Sequence, residues 1–163
     1  MSTQPVLVFL HGFGESGEIW ADFTRSFPAG YRVLTPDLPG HGAHPAPVAD
    51  YTMEAQARAV AGQLQQQHVA RALFVAHSMG GYVALALAEQ FPELVAGLVL
   101  FHSTALPDTA EKQANRAKNQ DFVRRHGVGK FMGSFIRPLF APANCERLPA
   151  VRQRLEAIGR ATP

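Results

Sequence analysis

The sequence predicts an α/β protein built on a mainly parallel sheet with flanking helices, followed by an all-helical segment. Three observations carry that reading. Four short apolar runs alternate with helix-like stretches through residue 105. The pattern turns to helices alone from Asp108 onward. The charge balance breaks at the same place: residues 1–105 hold 4 Lys+Arg against 8 Asp+Glu, whereas residues 106–163 hold 11 against 5. Alternating strands and helices favour a parallel sheet with right-handed crossovers, and a shift in composition marks a boundary between structural units. Two units are therefore expected, 1–105 and 106–163.

In chain order, Val6 to Leu10 is a continuous apolar run and reads as a strand buried on both faces. It ends in His11-Gly-Phe-Gly14, where glycines allow a sharp turn. Ile19, Phe23 and Phe27 have helical spacing up to Pro28. Tyr31 to Thr35 is the second strand, closed by the turn-rich Pro36-Asp-Leu-Pro-Gly-His-Gly42. Thr52 is suited to cap a helix over Met53 to Gln67. Ala72 to Ala76 is the third strand, Gly80 to Gln90 a helix stopped near Pro92, and Val95 to Phe101 the fourth strand. Beyond Pro107, helices are expected over Glu111–His126, Lys130–Phe140 and Leu148–Ile158, separated by Gly127, Gly129 and Pro142.

Composition narrows the function classes. Of the 163 residues, 47% are apolar and the net charge is +2, which argues against disorder. No apolar run approaches the roughly 20 residues of a membrane span. The apolar run near the N-terminus is too short for a signal peptide and lacks a preceding Lys or Arg, so a cytoplasmic location is expected. One cysteine, Cys145, excludes an internal disulfide framework. The basic charges of the C-terminal segment are interleaved with apolar residues, the pattern of a solvated helical face rather than of nucleic-acid binding. No cofactor is called for, and the seven histidines form no metal-binding pattern.

The stretch Phe74-Val-Ala-His-Ser-Met-Gly-Gly81 carries the chemistry. Ser78 lies between a strand and a helix, with Ala76 two residues before it and Gly80 two residues after. A nucleophile on so sharp a turn needs small neighbours where strand and helix approach, and it gains an exposed position at a helix N-terminus. Ala76 stands where glycine is usual. The same serine would also suit an ordinary helix N-cap.

With His11-Gly-Phe-Gly14, Asp37-Leu-Pro-Gly-His-Gly42 and Val99-Leu-Phe-His-Ser103, this elbow resembles the α/β-hydrolase superfamily in order and spacing, most closely its small carboxylesterase and thioesterase-like branch. The resemblance covers residues 5–105, with 106–163 similar to part of a helical cap. It implies a partial α/β-hydrolase fold with Ser78 as nucleophile and the backbone amides of Phe13 and Met79 as oxyanion hole, acting on a carboxylic ester or thioester. In this fold the acid and histidine follow the serine in sequence. Nothing after Ser78 resembles either segment. The resemblance thus implies an N-terminal portion lacking the last strands, with the rest of the triad on other polypeptide and with a complementary fragment or self-association covering a bare sheet edge.

Among the histidines, His11 and His102 are candidate pocket residues, and His102, at the end of the fourth strand, is also the best internal candidate for a base. Asp37 reads as a loop-stabilising acid. Phe131, Phe135 and Phe140 suit either an apolar acyl pocket or ordinary core. Without its partners the chain could instead be a non-catalytic binding or interaction module.

Overall fold

A computed structural model of the chain describes residues 4–44 and 49–162. It divides into two compact units, Met1–Ala105 and Leu106–Pro163.

The first unit is a four-stranded parallel sheet with flanking helices. The strands are β1 (Val6–Leu10), β2 (Arg32–Leu34), β3 (Ala72–His77) and β4 (Val95–Phe101), in the order β2-β1-β3-β4. The apolar run of β1 is buried on both faces because side chains alternate across a strand. Val8 and Leu10 join Phe74 and Ala76 of β3 in the larger core. That core is closed by α2 (Met53–Gln66) through Val60 and Leu64, and by α3 (Met79–Gln90) through Val83 and Leu87. Leu7 and Phe9 face the opposite side with Trp20, Phe27, Val33 and Val75. Each large side chain fully enclosed in this way contributes about 1.5–3 kcal/mol. Thr52 caps α2 as its sequence suggests, its Oγ1 accepting from the Ala55 N–H at 3.2 Å.

The segment after β1 departs from the helix expected over Ile19–Phe27. A 3-10 turn over Gly17–Trp20 passes directly into α1, the single turn Ala21–Thr24. The Phe9 ring explains the shortening. Trp20, Phe23 and Phe27 all pack on it with centroids 5.1, 5.9 and 5.5 Å away, and the backbone tightens to bring Phe27 round: the N–H groups of Ser26 and Phe27 bond the carbonyls three residues back.

At the other side of the sheet, β4 is an edge strand. Leu73 on β3 and Val99 and Phe101 on β4 share one face and are 41%, 54% and 46% exposed.

The second unit is all helical: α4 (Ala110–His126), α5 (Val128–Phe135), α6 (Pro142–Arg147) and α7 (Pro149–Arg160). Every residue of α4 is exposed except half-buried Val123, so its charges form a solvated surface. The helix expected over Lys130–Phe140 divides at Ile136 into α5 and a 3-10 turn over Arg137–Leu139, since Pro138 has no N–H to continue an α-helical ladder. Pro142, read from sequence as a separator, instead opens α6, where the missing N–H costs nothing. Phe131, Met132 and Ile136 form this unit's core, with Phe135, Phe140 and Leu155 packed against it. The three phenylalanines therefore serve as core within their own unit. Among the described residues, no helix is long and apolar enough to cross a membrane.

Candidate active site

Ser78 occupies the single residue between β3 and α3, with φ 49° and ψ −114°. A residue with a Cβ adopts this conformation only under strain, at a cost of about 1–3 kcal/mol. It stands at the N-cap position of α3, yet its side chain makes no capping hydrogen bond. The backbone is held from three sides. Its N–H donates to the Phe101 carbonyl at 3.1 Å, and its carbonyl accepts from the Gly81 N–H at 3.0 Å and from the Ser103 hydroxyl at 2.7 Å. The end of β4 thus clamps the strained residue.

Small neighbours allow the bend. Ala76 is fully buried. At Gly80, a Cβ would meet the His11 carbonyl oxygen at 2.6 Å and the Leu10 Cβ and carbonyl oxygen at 2.9 Å. Helix α3 therefore begins in contact with the backbone of β1, and only hydrogen fits at the second position after the serine. Met79 opens α3, so its N–H has no intrahelical acceptor and lies at the positive end of the helix dipole.

The loop after β1 lies against the elbow. A Cβ on Gly12 would sit 3.2 Å from Ser78 Cβ and 3.0 Å from His77 Nδ1. Phe13 follows, its ring 43% exposed and its centroid 6.2 Å from that of His41. His11 does not line an accessible surface, because it is completely buried. Its Nε2 accepts from the Leu38 N–H at 3.0 Å, which fixes the proton on Nδ1, and Nδ1 donates to the Gly12 carbonyl at 2.8 Å. Burial disfavours the imidazolium and lowers the pKa of His11 to about 4. The peptide linking Gly12 to Phe13 is planar and trans, so its N–H points opposite to its C=O. By holding the Gly12 carbonyl, His11 therefore sets the direction of the Phe13 N–H.

His41 packs its ring 5.1 Å from that of His11, with Nδ1 donating to the Pro39 carbonyl at 3.1 Å. Burial lowers its pKa too. Asp37 fixes the loop after β2: its two carboxylate oxygens accept from the Gly17 and Ala43 N–H groups, each at 2.7 Å.

His102 directly follows β4, with a φ of 48°. Its exposed ring contacts Phe101 at 4.6 Å and His77 at 6.3 Å between centroids, and no hydrogen bond joins it to Ser78 among the described residues. Among those residues no three His, Cys, Asp or Glu side chains are grouped to hold a metal ion.

Two contributors escape sequence reasoning. One is Ser103, which lies in a recognised motif but whose contact with Ser78 spans 25 positions. The other is Glu15, which bonds both Gly12 and His77, the latter across 62 positions. The approach of the segment after β4 to the elbow reveals the first pairing, and that of the loop after β1 reveals the second.

Comparison with known proteins follows the same lines. The profile of the alpha/beta hydrolase fold family matches residues 5–160. The chain is 44% identical over 97 residues to a pimeloyl-acyl-carrier-protein methyl ester esterase of Aromatoleum aromaticum, an overlap of 60% of this chain and 36% of that protein. It superposes on a thermophilic esterase from Thermogutta terrifontis with a TM-score of 0.89 and 30% identity, covering 99% of this chain and 60% of the esterase. An enol-lactonase from Burkholderia xenovorans gives a TM-score of 0.85 at 26% identity, covering 99% and 61%. The chain thus spans about a third of the length of that curated relative and about 60% of the two structures.

Proposed function

Because the chain belongs to the alpha/beta hydrolase fold family, we propose that it carries the nucleophilic part of a serine esterase acting on a carboxylic ester or thioester. Relatives named as esterases and hydrolases support the reaction class. The observation that carries the assignment to Ser78 is its strained position at the head of α3, with a side chain that caps nothing.

In this reading the Ser78 hydroxyl adds to the carbonyl carbon while its proton passes to a histidine base. The oxyanion that forms is held by the amides of Met79 and Phe13. The carbonyl then re-forms, the alcohol or thiol leaves with the proton, and water releases the acid from the acyl-enzyme by the reverse sequence. We assign the base and its carboxylate partner to polypeptide outside this sequence. Two observations support that: the chain covers 60% of the esterase it superposes on, and the Leu73, Val99 and Phe101 face beside the β4 edge is uncovered. That face would receive the complementary polypeptide or a second copy of the chain. Residues 106–163, a compact unit of their own, would form part of a helical cap.

The test is hydrolysis of a chromogenic short-chain ester and labelling by a fluorophosphonate, each with and without any polypeptide that co-purifies. Turnover and labelling that require the partner and vanish in Ser78→Ala are expected. Labelling that persists in Ser78→Ala overturns the nucleophile assignment. Inactivity under both conditions favours a non-catalytic binding module.

A further inference from the structure

We propose that Glu15 is a positioning residue that fastens the oxyanion loop to the nucleophile elbow, an inference that rests on the serine-esterase reading above. A single carboxylate oxygen, Oε2, accepts from the Gly12 N–H at 2.6 Å and from His77 Nδ1 at 2.9 Å. Gly12 immediately precedes the proposed oxyanion donor Phe13, and His77 immediately precedes Ser78. Glu15 therefore bridges the two residues next to the groups that must act together, although they lie on separate turns of the chain. Its side chain is 17% exposed and that of His77 24%, which limits the screening of both bonds.

The geometry makes Glu15 more than a loop brace. Gly12 is pinned on both sides, its carbonyl by His11 and its N–H by Glu15. The N–H belongs to the His11–Gly12 peptide and the carbonyl to the Gly12–Phe13 peptide, so the two bonds fix both planes that meet at the Gly12 Cα, and the Phe13 N–H is aimed before substrate arrives. The Gly12 N–H is itself occupied, which leaves the task of oxyanion donor to the next amide in the loop. Close packing shows how tightly the parts fit: a Cβ on Gly12 would lie 2.8 Å from Glu15 Oε2, 3.0 Å from His77 Nδ1 and 3.2 Å from Ser78 Cβ. Without the carboxylate, the His11–Gly12 peptide loses its anchor, the plane carrying the Phe13 N–H is held by the His11 bond alone, and the elbow loses its tie to the loop. A preorganised oxyanion donor is worth about 100- to 1000-fold in kcat when removed outright, and one loosened but still present should lose about 10- to 100-fold.

The experiment compares the full chain with Glu15→Gln, Glu15→Ala and the exposed helical control Glu89→Ala. The first readout needs no catalysis: hydrogen exchange of the Gly12 amide by NMR. Exchange at Gly12 should quicken at least about tenfold in Glu15→Ala while the amides of β1 and α3 keep their protection. The second readout is ester hydrolysis under whichever condition supports turnover. There kcat should fall about 10- to 100-fold in Glu15→Ala and less in Glu15→Gln, which retains an acceptor oxygen, with KM changed by less than about threefold. Glu89→Ala should change neither readout. Unaltered Gly12 exchange in both Glu15 variants overturns the proposal. So does an unaltered kcat in enzyme whose activity is abolished by Ser78→Ala. If Ser78→Ala leaves hydrolysis intact, or no hydrolysis is found, the esterase reading fails and the exchange result alone decides the role of Glu15 in holding the loop.

Discussion

Replacing Gly80 by alanine tests whether the first turn of α3 lies against β1 as tightly as the elbow requires. The added Cβ meets three atoms below 3.0 Å, of which two are carbonyl oxygens of Leu10 and His11. Leu10 is the last residue of β1 and pairs with Ala76 of β3, and His11 follows it with a fully buried ring, so these backbone oxygens cannot turn aside as a flexible side chain would. Helix and strand must separate by several tenths of an ångström. Overpacking of this kind costs about 1–3 kcal/mol, against a gain in helix propensity of at most about 1 kcal/mol. A net loss of about 1–2 kcal/mol is expected, or roughly 5–10 °C in Tm for a unit of this size. Gly62 supplies the opposite case. It lies inside α2, and a Cβ there meets nothing within 4 Å, so Gly62→Ala should stabilise by about 0.5–1 kcal/mol. Thermal and urea unfolding followed by far-UV circular dichroism would measure both. Changes of the same sign, or a Gly80→Ala variant within about half a kcal/mol of the parent, would refute the close contact.

Two further outcomes follow from the elbow and its loop. Ser78→Gly relieves a backbone with φ 49° and should be about 1 kcal/mol more stable than Ser78→Ala, which keeps the Cβ; matched denaturation curves check this. The folded-state pKa of His11, lowered from 6.5 to about 4, means that the unfolded chain binds the proton first on acidification. Its contribution is therefore complete above pH 6.5 and is lost as pH falls towards 4, by up to about 3 kcal/mol. Urea unfolding at pH 7.5 and pH 5 should show the decline. Equal or greater stability at pH 5 would contradict a buried neutral imidazole.

The sequence by itself determined whatever depends on local spacing. The unbroken run from Val6 to Leu10 announces a strand covered on both faces, Thr52 announces the start of α2, and Ala76 and Gly80 on either side of Ser78 announce a bend that large residues would block. Those signals are local because side-chain periodicity and turn chemistry act over a few residues. Tertiary structure decided the rest. Phe9 curtailed the helix after β1 by collecting three aromatic rings, and Phe131, Phe135 and Phe140 turned to the core of their own helical unit. The hydrogen bonds that surround the elbow join His11 to Leu38, Glu15 to His77 and Ser103 to Ser78, partners 27, 62 and 25 positions apart. Polar side chains of this kind carry no periodic signature, and their partners are chosen only when parallel pairing brings the ends of β1, β2, β3 and β4 together.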